Sequence, residues 1–463
     1  MRRLAWPGLV AFSRAIATYL YFSSCMLTIY CPYHSPRLAY IAHWLGVQLT
    51  GQPAALVQHL KDAPAGQPLL AYCPQPPAVP ALHIYPTGLL QQAGISPPTI
   101  TWHQSPAGPA FFETPGQGTT LGFDVLAASF YLLSRYEEYL PHTKDSFGRY
   151  CHTQSTLWQQ GLLHTPVVDG WVQFVKGTLQ KLFPQWQPLE GQPQWQLTYD
   201  VDMVTAYKGK GLWRNTGGAL MELVKGRWAR LHQRMQVLRG NHPDPLLPYD
   251  HLLQWHERLG AHPFYFVLAT THFNRYDKAT PVTHPVVQRT ICQWASHSHI
   301  GLHASYKAHA QYAQVMQEKQ NLLRATLLPI TQNRMHYLML HLPATCRLLL
   351  QAGITTDWSM GYGYINGFRA GTSLPFTWYD LEKECITPLT LVPFAWMDAN
   401  SLFELKQSPQ EAMEELAQLW TQVKGVNGQL VTIVHPHMMG NPAWHPWWEG
   451  YQKLVEGQAA YLA

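Results

Sequence analysis

The 463-residue chain reads as an α/β protein: a (β/α) barrel domain preceded by a smaller α/β domain. Three observations predict it. From residue 194 onward, strand-like apolar runs alternate with helical segments; repeated β-then-α units imply a parallel sheet, and this many of them favour a barrel. The length exceeds what one ordinary core organises, which makes two domains the default. The stretch from Phe183-Pro184 to Gly191-Gln192-Pro193 is rich in proline and glycine and reads as the linker between them.

Residues 1–25 are expected to lie outside the fold. Met1-Arg2-Arg3 followed by Leu4 to Val10 has the outline of a signal peptide. However, Arg14 interrupts the apolar run and no small-residue cleavage site precedes Cys25, so a start of translation at Met26 is the alternative. The first domain, 26–187, opens with a strand that ends at Pro32, followed by a helix from Pro36 to Leu49. Strands are expected at Leu69 to Tyr72, Ala81 to Tyr85 and Ala110 to Phe112. A helix is predicted over Asp124 to Tyr139, with Phe123, Ala127, Phe130 and Leu133 near one face and Pro141 as its stop. Arg135, Glu137 and Glu138 at its end suit a solvated or internally paired terminus better than a ligand site. No catalytic constellation is evident in this domain.

The second domain, 194–463, begins with a strand from Trp195 to Tyr199 and a basic helical insertion from Leu212 to Leu238. Further strands are expected at Phe264 to Leu268, Ile300 to His303, Ile354 to Asp357, Thr390 to Pro393 and Leu430 to Val434. Helices are expected at Asp250 to Leu259, Pro285 to Ser296, Gln311 to Thr326, Pro343 to Gln351 and Pro409 to Lys424.

Composition narrows the function. Hydrophobic residues make up 46% and aromatic residues 13%, enough for a large packed interior. Only 13% are charged, and Lys plus Arg exceed Asp plus Glu by five, which does not suggest nucleic-acid binding. The stretch from Lys208 to Arg239 is the one basic exception. The seven cysteines are scattered and odd in number, without a C-x-x-C pair, so reduced thiols in a cytoplasmic protein are expected. No apolar run is long enough to cross a bilayer.

The most informative stretch is Thr198-Tyr199-Asp200-Val201-Asp202. A D-x-D by itself is ordinarily an Asp-rich turn. Here suitable partners recur downstream, each beside a strand-like run: His303, Arg334, His336, Asp357 and His435. In a barrel the C-terminal ends of the strands build the active site, and carboxylates with imidazoles suit Zn²⁺ or a similar divalent cation. A metal-held water, one Asp base and one His acid suffice for acyl hydrolysis.

These residues resemble the polysaccharide deacetylases, the NodB-like carbohydrate esterases with a deformed (β/α) barrel. That family reads T-F-D-D-G, H-[ST]-x-x-H-P, R-x-P-[FY], a D-W motif and L-x-H. This chain carries, in the same order, Thr198 to Asp202, His303-Ala304-Ser305-Tyr306-Lys307, Arg334-Met335-His336-Tyr337, Asp357-Trp358 and Ile433-Val434-His435. It looks closest to a bacterial branch with an added N-terminal domain, through Phe123 to Tyr139, Ile300 to Tyr306, Asp357 to Tyr362 and Gly367 to Thr372.

The resemblance implies Asp200 as catalytic base, Arg334 orienting it, His435 as acid, and Asp357 holding and polarising that histidine. It implies a metal on Asp202 and His303, Zn²⁺ first, with Co²⁺, Ni²⁺ or Mn²⁺ as alternatives. The family's second metal histidine falls at Lys307, an ammonium that cannot ligate. His336, which stands where a proline is expected, is the candidate replacement, with His309 and His437 as others. Tyr306, Trp358, Tyr362 and Arg369 are the candidate substrate contacts, although aromatic residues in a barrel are more often core. The implied activity is removal of an acyl group, N-acetyl first, from an acylated carbohydrate. The rivals are a non-catalytic member that binds glycan or a polysaccharide-biosynthesis partner, and a hydrolase of a non-sugar C–N bond.

Overall fold

The computed structural model describes residues 26–115, 120–246, 249–439 and 442–463. The expectation for residues 1–25 lies outside them. The chain forms two compact units that interleave in sequence. The first holds the described residues up to Ser134 together with Gly170–Gly191 and Leu381–Ile386; the second holds Arg135–Asp169, Gln192–Asp380 and Thr387–Ala463.

In the first unit, β1 (Thr28–Tyr30), β2 (Ala55–Val57), β3 (Leu69–Tyr72) and β4 (Leu82–Ile84) form a parallel sheet in the order β2-β1-β3-β4. β5 (His103–Ser105) and β6 (Gly108–Ala110) make an antiparallel hairpin. The helix Pro36–Thr50 starts at Ser35, whose hydroxyl accepts the Leu38 amide, and stops at Gly51 in the left-handed conformation at φ 75°. Asp124 is the central polar tie. Its carboxylate accepts Tyr72 Oη at 2.8 Å, Thr87 N at 2.8 Å and the Ala127 amide at 3.0 Å, joining β3 to the helix that Asp124 caps.

That helix is shorter than expected. It runs Val125–Leu133, and Arg135 at φ 54° turns the chain into a 3-10 turn over Tyr136–Tyr139. The reason lies in the Arg135 side chain, which is buried and committed to partners in the second unit. Its Nε donates to Glu138 Oε1 at 2.7 Å, Nη2 to Glu137 Oε1 at 2.8 Å and Nη1 to the Arg369 carbonyl.

The second unit is built on one curled nine-stranded sheet. Its strands are β7 (Gln194–Val201), β8 (Phe264–Val267), β9 (His299–Ala304), β10 (Gln332–Met335), β11 (Thr356–Met360), β12 (Phe376–Asp380), β13 (Cys385–Pro393), β14 (Trp396–Met397) and β15 (Gln429–Val434). The order is β12-β13-β11-β10-β9-β8-β7-β15-β14. From β13 to β14 every adjoining pair is parallel, as the β-then-α pattern requires. The ladder runs from one edge to the other, a half-barrel rather than a closed ring. Its curl gathers Phe266 of β8, Trp358 of β11, Val392 of β13, Met397 of β14 and Ile433 of β15 into one apolar cluster. Among the described residues no helix is long and apolar enough to cross a membrane, and the six described cysteines are all free.

Candidate metal centre

Strand alternation decides what β7 offers. Thr198 and Asp200 share one face of it. Tyr199 takes the other, its ring stacked on Tyr265 at 5.1 Å and its hydroxyl 2.8 Å from His256 Nε2. Three strands away, Arg334 of β10 stands in register with His303 of β9. Its guanidinium, fully buried, donates through Nη1 to Asp200 Oδ1 at 2.7 Å and Thr198 Oγ1 at 2.8 Å, and through Nε to the Trp358 carbonyl at 3.0 Å. Burial pushes the Asp200 carboxyl up, but Arg334 and then His303 outweigh it and hold Asp200 below the usual carboxylate range. A buried aspartate kept ionised in this way is prepared to accept a proton.

Asp202, one residue beyond β7, meets two imidazoles. Its Oδ1 lies 3.4 Å from His303 Nε2 and 3.4 Å from His336 Nε2. The three donor atoms lie within 4.8 Å of one another. In each ring the other nitrogen is already engaged. His303 Nδ1 is 2.9 Å from the Arg334 carbonyl, and His336 Nδ1 is 2.9 Å from Asp277 Oδ1. Those contacts place the proton on Nδ1 and leave both Nε2 lone pairs for a cation, the usual outer-sphere arrangement of a ligating histidine. Asp202 Oδ1 and His303 Nε2 are buried with no hydrogen-bond partner. Buried polar atoms seldom go unmet, so the residues present fit a divalent ion.

His435 follows β15, the strand on the opposite side of β7. Its Nδ1 is 2.6 Å from Asp398 Oδ1, and its backbone amide donates to Asp398 Oδ2 at 2.7 Å. Burial works against the charged ring, yet Asp398, aided by Asp202 and Asp200, raises its pKa to about 10. His437 lies alongside, at 5.8 Å between ring centroids, with Nδ1 unpartnered and burial pushing its pKa down. Asp200, Asp202, His303, His336, His435 and His437 all line a single cavity of about 240 Å³, whose walls include Phe147, Arg149 and Tyr337.

Several residues singled out from the sequence stand elsewhere. Asp357 does not hold His435. It pairs in register with Asn333, on the face of the sheet opposite Arg334, and accepts Asn333 Nδ2 at 2.7 Å, Ser359 N at 3.0 Å and Ser359 Oγ at 3.0 Å. One residue of strand parity separates the two faces. Trp358 is packed in the apolar cluster, its indole donating to Gln332 Oε1 at 2.7 Å, and is not among the residues lining the cavity. Arg369 is buried against Glu138, with Nε to Oε1 at 2.9 Å and Nη2 to Oε2 at 2.6 Å, and Tyr362 is buried beside the same network. Tyr306 sits half-buried, stacked on Tyr276 at 4.1 Å, and is not among the residues lining the cavity. Lys307 is exposed, and His309 turns its Nδ1 to the Tyr306 carbonyl.

The sequence reading missed Asp277 and Asp398. Asp277 lies in the loop after β8, and Asp398 follows a strand of only two residues. Asp277 adjoins no strand-like run, and the apolar Phe394 to Met397 before Asp398 stand beyond Pro393, where the expected strand stops. Phe147 and Arg149 were missed for another reason: they come from residues 135–169, well before the sheet begins. Gly363 allows Arg149 its place, since a Cβ there would fall 2.1 Å from Nη1.

Residues 27–184 match the model of a family described as a family of unknown function, DUF7033. No curated protein matches the chain. Among solved structures the chain is similar to a Mycobacterium smegmatis protein assigned as a polysaccharide deacetylase. Identity there is 15%, coverage 59% of this chain and 86% of that one, and the TM-score 0.39. It is also similar to PuuE allantoinase, at 11% identity, 58% and 85% coverage and a TM-score of 0.37.

Proposed function

We propose that the second unit is a metal-dependent hydrolase that removes an acyl group, N-acetyl first, from a carbohydrate. The observation that carries this reading is the convergence of Asp202 Oδ1, His303 Nε2 and His336 Nε2 within 4.8 Å, with both histidines already oriented through Nδ1. One carboxylate and two imidazoles suit Zn²⁺, and Co²⁺, Ni²⁺ or Mn²⁺ can take the same donors. A cation held there would polarise the acyl carbonyl and lower the pKa of a bound water.

The protein groups supply the rest. Asp200, kept ionised by Arg334, accepts the proton of the attacking water. His435, kept protonated by Asp398, donates to the departing amine nitrogen. A carboxylate with a depressed pKa and an imidazolium with a raised one, facing the same cavity, divide the roles of base and acid. The carbohydrate assignment rests on the motif resemblance and on Phe147 and Tyr337 in the cavity wall, since aromatic faces stack on sugar rings. His336 brings a second imidazole to Asp202 and His303 although the family motif's own falls at Lys307, which favours an enzyme over a non-catalytic glycan binder. The setting proposed is cytoplasmic.

Two measurements test this reading. Purified protein is expected to hold about one divalent cation per chain, with Asp202→Ala and His303→Ala losing it. It is then expected to release acetate from at least one of a panel of N-acetyl sugars, and Asp200→Asn is expected to abolish that release while keeping the metal. Protein that binds no divalent cation ends the proposal. Metal-loaded protein that cleaves only non-sugar amides moves the substrate class.

A further inference from the structure

The connection between β7 and β8 contains a pair of helices that the hydrolytic site does not use, Gly211–Val224 and Trp228–Arg239. A surface helix normally buries an apolar stripe and shows its polar face to water. The first of these helices does the reverse. Its buried residues are Asn215 and Glu222, both engaged by Arg234 of the second helix. Arg234 Nη1 donates to Asn215 Oδ1 at 2.9 Å, while Nε and Nη2 take the two Glu222 oxygens at 2.9 and 2.8 Å. Arg214 anchors the pair to the body of the unit through the Ala279 and Lys278 carbonyls at 2.9 and 3.0 Å. The polar side chains thus do the attaching.

Most of the apolar ones are left outside, Val237 of the second helix being the buried exception. Trp213 is 90% exposed, Leu212 76%, Val224 75%, Trp228 63% and Leu220 61%. At about 100° per residue, Leu212, Leu223, Leu220, Trp213 and Val224 fall within roughly 120° of one another on the first helix. Trp228, Leu231, Met235 and Leu238 similarly share roughly 80° of the second. Nine of the 24 large apolar side chains exposed among the described residues fall between Leu212 and Leu238, so this is a patch and not scatter.

Charge identifies what covers it. From Lys208 to Arg239 there are eight Lys and Arg against one carboxylate, Glu222, while the rest of the chain has 24 against 26. The basic excess of the whole protein therefore resides in this one segment. Lys225, Arg227, Arg230 and Arg239 are exposed on the same two helices as the tryptophans. Exposed tryptophan and leucine flanked by cations, on helices too short to span, is the composition of a segment that lies in a lipid interface. We infer that the helix pair Gly211–Arg239 docks on the surface of an anionic phospholipid bilayer, burying Trp213, Val224 and Trp228 among the acyl chains with the surrounding lysines and arginines at the headgroups. The inference rests on these helices alone and is independent of the hydrolase reading.

The test is co-sedimentation of the full chain with vesicles of phosphatidylcholine containing about one third phosphatidylglycerol. Binding is expected to fall at least about tenfold on vesicles of phosphatidylcholine alone, and at least about tenfold on raising salt to about 0.5 M. Trp213→Glu with Val224→Glu, and separately Arg227→Glu with Arg230→Glu, are each expected to reduce binding by a similar factor. These positions are exposed, so thermal unfolding should be unchanged and confirms that the variants are folded. Wild type that stays in the supernatant, or variants that sediment like wild type, overturns the inference. So does a concentration-dependent dimer that the same substitutions abolish without vesicle binding, or tighter binding to duplex DNA than to the anionic vesicles.

Discussion

Asp398 grips His435 twice, one carboxylate oxygen 2.6 Å from the ring Nδ1 and the other 2.7 Å from the backbone amide of the same residue. That double contact fixes the ring and leaves Nε2 as the nitrogen available to a ligand. It also keeps the ring charged, at a pKa of about 10 against an ordinary 6.5. A raised folded-state pKa stabilises the protein fully below 6.5, and that contribution is lost as pH rises towards 10.

Asp398→Asn is therefore expected to lower kcat by about 10²–10⁴ and to move the alkaline limb of the kcat profile from near 10 towards 6.5. The wild-type melting temperature should fall over this window, and that of the variant should fall less. Superimposable pH profiles for the two proteins would show that Asp398 does not control the acid.

The proposed metal site extends beyond its three donors. His303→Ala and His336→Ala should each abolish stoichiometric metal in elemental analysis. Asp277→Asn is expected to retain the site but weaken its affinity by about 10–100-fold, because it loosens His336 without removing a donor. Competition with a chromogenic chelator measures this, and an unchanged affinity would make Asp277 a packing residue.

Arg334 is the buried cation on which Asp200 depends. Arg334→Met leaves the Asp200 carboxylate buried without its partner, with an expected loss of about 3–5 kcal/mol in denaturant unfolding. Asp200→Asn in the same background should recover part of that loss. A variant with wild-type stability would mean that the carboxylate finds another partner.

Cavity wall and core should separate in kinetics. Phe147→Ala is expected to raise KM several-fold with kcat nearly unchanged, since Phe147 lines the cavity and carries no group that could transfer a proton. Trp358→Ala should instead cost about 3–5 kcal/mol of stability through the cluster it packs. A Trp358 variant that keeps its stability and loses only substrate affinity would make Trp358 a substrate contact instead.

The parts of the site legible in the sequence are those that sit at the ends of apolar runs. Asp200, His303 and Arg334 lie near the carboxyl ends of strands of four to eight residues, and Asp202 and His435 just beyond such strands; for all but β10 an apolar run marks the end that faces a shared cleft. Asp398 follows an apolar run split by Pro393, whose second part forms a strand of only two residues, and Asp277 adjoins no strand. Asp357 shows the opposite failure. It follows a legible strand, but the choice of face turns on a single residue of register that an isolated sequence does not display. Arg369 and Tyr362 lie in a glycine-rich block suggestive of a binding loop. Their partners Glu138 and Arg135 are more than 220 residues away in the chain, and only the fold brings them together. The expected helix over Asp124 to Tyr139 broke for the same reason, at the residue whose guanidinium has distant partners.

The ladder joining β15 to β7 runs unbroken through six paired positions, from Gln429 with Gln194 to Val434 with Tyr199. Asp200 and Asp202 continue one rail of it, and His435 the other. The proposed acid and two of the site's carboxylates thus leave adjoining rails of one backbone lattice. Under the proposed function such a frame would act as a fixed caliper, set to the span between a carbonyl oxygen and the atom it releases, selecting the linkage cut and placing few demands on what extends past it.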